Sequence, residues 1–284
     1  MDTIRLIASD MDATLLDAHS QLPPDFEAAV RALAAEGIRF AAASGRPLYT
    51  LEAMFPALQE EIILIGDNGG AIRWKGETLF VSEMPAEGWH SLARLTKERG
   101  DIGMLCGLDR VYVEKPYQRY DAVFKNFYTQ VEYVDDLLVV DAPADKFTIY
   151  LPRDNAQEAF DAVYGAACGG RFSVAVAGKN WVDVMNPGVN KGTALEKLGA
   201  QLRLPASGMM AFGDTYNDIE MLEAVGYGFL MENGSPELRV RVPFLAPSNT
   251  EYGVMQILRR VLAQHGAVSP DDFRWLWPGK TGWM

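Results

Sequence analysis

Two acidic residues, Asp10 and Asp12, follow directly after the apolar run Leu6, Ile7 and Ala8, where a buried strand would be expected to continue. Residues two apart on an extended strand share a side, so both carboxylates can face one small space. Burying an ionised carboxylate is unfavourable unless a cation, hydrogen bonds or solvent compensate for the lost hydration. The pair therefore predicts a bound group at this strand end, although a solvated turn is the alternative for such a pair taken alone.

Two further clusters could hold an anion. The sequence Ser44, Gly45 and Arg46 follows another apolar run, and a hydroxyl with free backbone N–H groups at a helix N-terminus suits an anionic oxygen. Ser-Gly is also ordinary turn chemistry. Lys191 lies in the first turn of a predicted helix, where the helix dipole disfavours a cation. A nearby anion would explain this lysine, and a solvated side chain is its alternative.

A fourth cluster, Asp214, Asn217 and Asp218, follows the apolar run "GMMAF". Hard oxygen ligands of this kind favour Mg²⁺, which binds through one or two carboxylates, water and a substrate phosphate. The three histidines of the chain lie far apart, so a zinc site is not expected. Carboxylates, a metal, a lysine and hydroxyl or amide donors together predict a phosphoryl-transfer site.

The elements around these clusters alternate between strand and helix. "IRLIAS", "IRFAAAS" and "EIILIGDNG" are predicted strands of the first part of the chain, and "GMMAF" and "YGFLM" of the last part. A final amphipathic helix is predicted to end at Gly266. Strands without alternating polarity, separated by helices, indicate a Rossmann-like, doubly wound parallel sheet covered on both faces. Ligands bind at the carboxyl ends of such strands, which is where each cluster stands.

The pattern changes in the middle of the chain. "DRVYVEK", "KFTIYLP", "RFSVAVAG" and "NWVDVMN" are strand-like and partly alternating, with helices such as "GWHSLARLTKERG" between them. We therefore predict an α/β core in two parts, residues 1–82 and 188–284 with a C-terminal tail, and an inserted α+β domain over residues 83–187.

Composition limits the functional class. Of the residues, 49% are hydrophobic and 23% charged, as in an ordinary globular protein. The formal net charge is -12 and no cluster of Lys and Arg stands out, so binding to nucleic acid is not expected. No apolar run is long enough for a membrane span, and the first residues lack the pattern of a secretion signal, so we expect a cytoplasmic protein. Cys106 and Cys168 are expected to be reduced. The oligomeric state is open, and the tail tryptophans Trp275, Trp277 and Trp283 are expected to dock onto the core or into a dimer contact.

The clusters also carry a family resemblance. "DMDATLLD", "AAASGRP", "GVNKG" and "AFGDTYND" resemble, in order and strand context, the four motifs of the haloacid dehalogenase (HAD) superfamily. The insertion resembles the type-IIB cap of its Cof-like phosphatases, and the resemblance runs from about Arg5 to Leu262. One departure is Ala13, where these phosphatases usually have Gly. Alanine is tolerable there unless the residue needs a positive φ.

The resemblance implies a role for each matched residue. Asp10 would be the nucleophile and Asp12 the general acid and base, while Thr14 steadies the loop. The residues expected to bind the phosphate are Ser44, Gly45, Lys191 and Asn217. The residues expected to hold Mg²⁺ are Asp10, Asp12 through its backbone carbonyl, Asp214 and Asp218. The residues proposed to contact the rest of the substrate are Arg46, Asn68, Arg110, Tyr112 and Trp181.

The expected function is then a Mg²⁺-dependent phosphatase of small phosphorylated metabolites, with sugar phosphates as the expected substrates, acting through an aspartyl-phosphate. A phosphomutase of hexose phosphates is an alternative, because the phosphoryl group can pass to a second hydroxyl instead of water. A non-catalytic regulator that binds Mg²⁺ or phosphate is another. Loss of Asp10, Asp12 or Lys191 would be its usual sign, and all three residues are present.

Overall fold

A computed structural model describes residues 2–276 of the chain. Within these residues the strands are β1 (Asp2–Thr3), β2 (Leu6–Asp10), β3 (Arg39–Ala43), β4 (Ile62–Gly66), β5 (Ala71–Trp74), β6 (Glu77–Val81), β7 (Ile102–Gly107), β8 (Val111–Glu114), β9 (Val131–Val134), β10 (Ala144–Tyr150), β11 (Ser173–Ala177), β12 (Trp181–Met185), β13 (Met209–Gly213), β14 (Tyr227–Met231), β15 (Phe244–Ala246) and β16 (Ala267–Val268). The α-helices are α1 (Phe26–Ala35), α2 (Leu48–Met54), α3 (Ala86–Arg99), α4 (Asp121–Phe124), α5 (Ala156–Ala159), α6 (Gly165–Cys168), α7 (Lys191–Gln201), α8 (Ile219–Glu223) and α9 (Gly253–Ala263).

The large sheet has the strand order β15-β14-β13-β2-β3-β4-β5-β6, and its first six strands run parallel. Strand β2 is buried along its whole length because helices cover both faces of the sheet. On one face Phe26 of α1 and Ile257 of α9 belong to one apolar cluster, and on the other Leu195 of α7 and Ile219 of α8 belong to a second. The predicted Rossmann-like α/β fold is confirmed.

One edge of this sheet differs from the prediction. After β4 the chain makes a tight turn over Asp67–Gly69 and returns as β5, which pairs antiparallel with β4 and with β6. The segment "EIILIGDNG" was identified as a strand but this hairpin was not predicted, because β5 and β6 are short and neither has a continuous apolar run. The hairpin leads the chain out of the large sheet toward α3.

The second sheet, which we call the inserted sheet, is formed by β7 to β12 in the order β11-β12-β10-β7-β8-β9. Its pairs are antiparallel except β8 with β9. Strands β7 and β9 were not among those predicted. The sheet lies in the chain between β6 and α7, where sequence analysis placed an α+β insertion.

Several smaller expectations meet the structure here. Cys106 and Cys168 are free, as predicted, and both are buried. Helix α9 ends at Ala263, three residues before the predicted Gly266, and the chain then turns into β16. Among the residues that the structure describes, none of the helices combines the length and apolar character needed to span a membrane. The expectation for the tail tryptophans concerns side chains outside the described part of the chain.

Candidate active site

The carboxylate of Asp10 lies at the carboxyl end of β2, the central strand of the large sheet. Asp10 is 7% exposed, and the fully buried Lys191 donates hydrogen bonds both to it and, at 2.6 Å, to Oδ1 of Asp218. Lys191 begins helix α7, whose N-cap Asn190 accepts a hydrogen bond from the Thr193 backbone N–H. Residues 181 positions apart in the chain therefore meet in one ion-paired centre.

Asp10, Asp214 and Asp218 form a buried group of three carboxylates, each offering one oxygen within 4.8 Å of the others. Asp218 is already occupied: its Oδ1 accepts from Lys191, and its Oδ2 accepts the backbone N–H groups of Asp214 at 3.0 Å and Thr215 at 3.1 Å. Asp214 accepts one hydrogen bond from Thr14 Oγ1 at 3.2 Å. Asp10 and Asp214 each accept fewer hydrogen bonds from the protein than Asp218 does, so they have more oxygen positions to offer a cation; Asp218 was also expected to hold Mg²⁺, and that call stays a prediction.

The charge of this group favours a cation. Burial raises the pKa of Asp10 well above its usual value, with Asp218 and Asp214 acting in the same direction and Lys191 opposing them. Burial, followed by the charge of Asp218, raises the pKa of Asp214 to about 7. Three carboxylates against one lysine leave an excess of negative charge, which a divalent ion would balance. The all-oxygen donor set therefore fits Mg²⁺.

Asp12 stands apart from the three carboxylates. Its side chain is 51% exposed and is held by Arg46, whose Nη2 donates to Oδ1 at 2.9 Å and whose Nε donates to Oδ2 at 3.2 Å. The same guanidinium donates to the backbone carbonyl of Asn126 at 2.8 Å and lies 5.3 Å from the ring of Phe127. Arg46 thus connects the Asp12 carboxylate to Asn126 and Phe127, which lie in the insertion between α4 and β9.

The loop between β3 and α2 carries Ser44 and Gly45. Sequence analysis expected free backbone N–H groups in this loop, but the N–H of Ser44 donates to Ile65 O at 2.9 Å and that of Arg46 donates to Ser44 Oγ at 3.1 Å. These bonds hold the loop rigid against β4. A Cβ on Gly45 would lie 3.2 Å from Oδ1 of Asn68, so glycine allows the two loops to approach closely.

Asn68 and Asn217 meet between the two loops that carry them. The side-chain amide of Asn217 donates to Asn68 Oδ1 at 3.4 Å, and that of Asn68 donates to Asp183 Oδ2 on the inserted sheet at 3.0 Å. Asn68 has a φ of 54°, a left-handed conformation that asparagine tolerates better than most residues. This turn therefore connects the large sheet to the inserted sheet at the site.

A cavity of about 650 Å³ opens above these residues, between the two sheets. From the large sheet and its loops it is lined by Asp10, Asp12, Ala13, Ser44, Gly45, Arg46, Asn68, Asp214, Thr215, Tyr216 and Asn217. From the insertion it is lined by Phe127, Tyr128, Lys146, Ala175, Val176, Ala177, Gly178, Lys179, Asn180, Trp181 and Asp183. Lys191 and Asp218 lie beneath it, fully buried. The cavity thus brings most of the sequence-predicted site residues together.

Arg110 and Tyr112 are not brought to this cavity. Arg110 precedes β8 and Tyr112 belongs to it, whereas the strands of the inserted sheet that contribute residues to the cavity are β10, β11 and β12. Arg110 is paired with Asp109 at 3.0 Å and Glu132 at 2.9 Å. Neither residue is among those that line the cavity, so the structure does not bring them to the other predicted site residues, and their assignment as substrate contacts stays a prediction.

Sequence analysis missed a buried ion-paired cluster at the same place. Lys146, 1% exposed, donates to Gly45 O at 2.6 Å and lies 2.9 Å from Asp67 Oδ1 and 3.7 Å from Asp183 Oδ2. Charged residues inside the apolar strand β10 were the available signal, since a buried lysine needs an anionic partner. The cluster joins the loop between β3 and α2, at Gly45, to the inserted sheet.

Ala13 has a positive φ, which is the condition under which alanine in place of glycine is unfavourable here. It has φ 60° and ψ 7°, within the turn Met11–Leu15, and its carbonyl accepts from Asn233 Nδ2 at 2.8 Å. A left-handed conformation costs a residue with a Cβ about 1–2 kcal/mol. The loop that carries Asp12 is therefore held in a strained conformation.

We expect Ala13→Gly to raise the free energy of unfolding by about 1 kcal/mol, because glycine adopts positive φ without this cost. Urea denaturation measures the change. The matched control is Ala34→Gly on the exposed side of α1, where glycine should instead destabilise by about 1 kcal/mol. Equal destabilisation by both substitutions would contradict the strain at Ala13.

Comparison with known proteins gives four further findings. A sequence profile of the haloacid dehalogenase-like hydrolases matches residues 7–258. The 5-amino-6-(5-phospho-D-ribitylamino)uracil phosphatase YbjI of Escherichia coli is 31% identical over 264 residues, covering 92% of this chain and 97% of that protein. An HMP-PP phosphatase of Cronobacter sakazakii is 30% identical over 259 residues, covering 85% of this chain and 89% of that protein. The crystal structure of SMU.1108c from Streptococcus mutans is similar, with a TM-score of 0.84 and 26% sequence identity, and the match covers 92% of this chain and 100% of that one.

Proposed function

Because the chain belongs to the haloacid dehalogenase-like hydrolases and is a phosphatase of that family, we propose that it hydrolyses small phosphorylated metabolites with Mg²⁺ and an aspartyl-phosphate on Asp10. The observation that carries this proposal is the meeting of Asp10, Asp214 and Lys191 at the floor of one cavity. A nucleophile, a metal-binding carboxylate and a buried cation in contact are the parts that phosphoryl transfer needs.

Each residue then has one task. An Asp10 oxygen attacks the phosphorus, and the bond from phosphorus to the leaving oxygen breaks while Asp12 gives that oxygen a proton. Water next attacks the aspartyl-phosphate, Asp12 takes its proton, and inorganic phosphate and Asp10 are restored. Asp10, Asp214 and the carbonyl of Asp12 would hold Mg²⁺, which when bound neutralises charge between carboxylate and phosphate.

The phosphoryl oxygens would be held by Ser44, Gly45, Lys191 and Asn217. Lys191 is buried against the nucleophile and supplies the positive charge that stabilises the transferring group. Asp12 must exchange its Arg46 partner for the leaving oxygen, so Arg46 is released toward the substrate when the phosphate binds. Asp218 accepts hydrogen bonds from Lys191 and from the backbone N–H of Asp214, so it holds these two residues in place beside the metal.

We propose that residues 83–187 form a cap that covers the site and contacts the leaving group. Support comes from the cavity lining, which includes residues from both sheets, and from the contacts of Arg46 and Lys146 between them. A cap of this kind excludes water and selects the substrate. Sugar phosphates are the proposed substrates; one relative is named for a substrate with a phosphorylated ribityl chain. A cytoplasmic location stays a prediction.

The test is hydrolysis of p-nitrophenyl phosphate by the purified protein. We expect turnover with Mg²⁺, its loss when EDTA is added, and its return when Mg²⁺ is restored, because Asp10 and the phosphate repel each other without a cation. Undiminished hydrolysis in EDTA would reject the metal requirement. Incubation with a hexose phosphate, followed by separation of its isomers and of free phosphate, distinguishes the phosphatase from the mutase.

A further inference from the structure

Three segments meet where the inserted sheet joins the large sheet, and together we call them the junction: residues 67–70, 82–84 and 144–146. The backbone N–H of Ser82 donates to Gly70 O at 2.7 Å, and that of Met84 donates to Ala144 O at 2.7 Å. The segment 82–84 is therefore bonded to the turn after β4 on one side and to β10 on the other. Movement of one sheet relative to the other acts on these bonds.

Asp145 reaches the junction because β10 is irregular there. In the pairing with β7, Ala144 lies opposite Gly107 and Lys146 lies opposite Cys106, so Asp145 is the extra residue of a β-bulge. Successive residues of a regular strand point to opposite faces, whereas a bulge changes the direction of a side chain. The side chains of Asp145 and Lys146 can therefore both reach the same neighbouring segment.

Both side chains contact the turn after β4. Lys146 Nζ lies 2.9 Å from Asp67 Oδ1, and a Cβ on Gly70 would lie 2.8 Å from Asp145 Oδ2. Asp145 is fully buried, and among the described residues neither of its carboxyl oxygens has a hydrogen-bond partner. A buried carboxylate without partners is strongly unfavourable, and such a group takes up a proton instead.

The charges around Asp145 favour the same form. Three buried carboxyl groups, those of Asp67, Asp145 and Asp183, lie around the one ammonium of Lys146. Asp67 and Asp183 lie 2.9 Å and 3.7 Å from Lys146 Nζ, so these two form the ion pairs. Burial, followed by the charge of Asp67, raises the pKa of Asp145 well above its usual value, and Lys146 opposes this effect. Burial also raises the pKa of the neighbouring Cys106 to about 12.

A cation would be the other way to balance an ionised Asp145, and the junction does not offer one. Within residues 2–276, three acidic side chains converge as a metal would require at Asp10, Asp214 and Asp218, and not at the junction. The titratable residue of the segment 82–84 is Glu83, which is exposed and acidic. A proton on Asp145 is therefore the form that fits the contacts and the charges.

We propose that Asp145 is a pH-sensitive switch of the junction: it is neutral while the two sheets are in contact, and loss of its proton to solvent loosens them from each other. An ionised Asp145 faces the charge of Asp67 without hydration, which favours an arrangement in which water reaches the carboxylate. Lys146 also donates to Gly45 O at 2.6 Å, so loosening at the junction reaches the loop between β3 and α2. This switch does not depend on the proposed reaction.

Urea denaturation between pH 5 and pH 8 tests the switch, with Asp145→Asn as the variant whose amide stays neutral throughout. A carboxyl group whose pKa is raised in the folded protein loses its contribution to stability as the pH rises, because the unfolded chain releases the proton first. The ratio of the wild-type unfolding equilibrium constant to that of Asp145→Asn should therefore increase by at least about tenfold from pH 5 to pH 8. The matched control is Asp141→Asn, an exposed position before β10, whose ratio to wild type should stay constant within about twofold.

Hydrogen exchange measures the loosening itself. The backbone N–H groups of Ser82 and Met84 should exchange faster than that of Ala8, which lies in the buried strand β2 and exchanges on global unfolding. The excess of the wild-type rate over that of Asp145→Asn at Ser82 and Met84 should grow with pH, because the open junction admits water to an ionised Asp145 only in the wild type.

The results decide the two parts of the switch separately. A ratio of unfolding constants that does not change with pH means that Asp145 holds no extra proton in the folded protein, and this overturns the switch. A ratio that rises with pH, while Ser82 and Met84 exchange no faster than Ala8, overturns the loosening. Both changes together support the switch. If Asp145→Asn does not fold, Asp145→Ala removes the same titratable group, and the same comparisons apply.

Discussion

Asp10→Asn is expected to lower kcat for p-nitrophenyl phosphate by at least about 10⁴-fold, the scale of loss when a covalent nucleophile is removed. Asparagine has nearly the same shape but its amide is a poor nucleophile, so no aspartyl-phosphate forms. The substitution also removes one charge from a centre with excess negative charge. Folding should therefore be preserved, with a free energy of unfolding within about 1 kcal/mol of the wild-type value or above it.

The measurement is steady-state hydrolysis together with urea denaturation of the same preparations. Asp25→Asn provides the matched control, because Asp25 is exposed before α1 and should keep full turnover. After acid quenching during turnover, mass spectrometry should find a phosphoryl group on the wild-type peptide that contains Asp10 and none on the variant. Wild-type turnover in Asp10→Asn would assign the nucleophile to another residue.

The central part of the site could be predicted because its signals are local. Asp10, Ser44 and Asp214 each end or follow an apolar run that folds as a buried parallel strand. Parallel strands of one sheet end at the same edge, so their terminal residues gather without knowledge of the strand order. Lys191 comes from a helix, and its place in the first turn, where the helix dipole disfavours a cation, was also a local signal.

The inserted sheet could not be predicted to the same depth. Arg110, Tyr112 and Trp181 all had plausible residue types, yet only Trp181 lines the cavity. The difference comes from the order β11-β12-β10-β7-β8-β9, which is decided by pairing between strands far apart in the chain. Local periodicity carries no information on that order.

The conformation of Ala13 could not be predicted from the sequence either. Residue type indicates that a left-handed φ is unfavourable for alanine, but only the surrounding contacts determine whether it is imposed. Here the Asn233 side chain bonds the Ala13 carbonyl, and Thr14 bonds Asp214. These bonds fix the loop directly after Asp12, so the strain is retained next to that carboxylate.

The cluster around Lys146 leads to the largest stability effect we expect. Burial lowers the pKa of Lys146, but the charges of Asp183 and Asp67 outweigh this effect and raise it well above its usual value, so the lysine stays charged. Lys146→Met keeps most of the apolar stem and removes the charge. Two buried carboxylates then lose their cation, and the free energy of unfolding should fall by about 3–5 kcal/mol.

A surface ion pair of the same insertion supplies the control. Lys115 lies 2.8 Å from Asp135, with side chains 55% and 85% exposed, so Lys115→Met should cost at most about 1 kcal/mol. Urea denaturation of both variants, followed by fluorescence and circular dichroism, makes the comparison. Equal effects would mean that the Lys146 cluster stabilises no more than a surface pair.

A double variant separates charge from packing at Lys146. Asp67→Asn added to Lys146→Met removes one of the two uncompensated carboxylates and should recover at least about 1 kcal/mol, because breaking a buried pair costs more than replacing both partners. Asp67 precedes Asn68 in the turn after β4, and Lys146 bonds Gly45 in the neighbouring loop. Absence of recovery would assign the loss to packing of the lysine stem, and the link between the loop that carries Gly45 and the inserted sheet would then be steric rather than electrostatic.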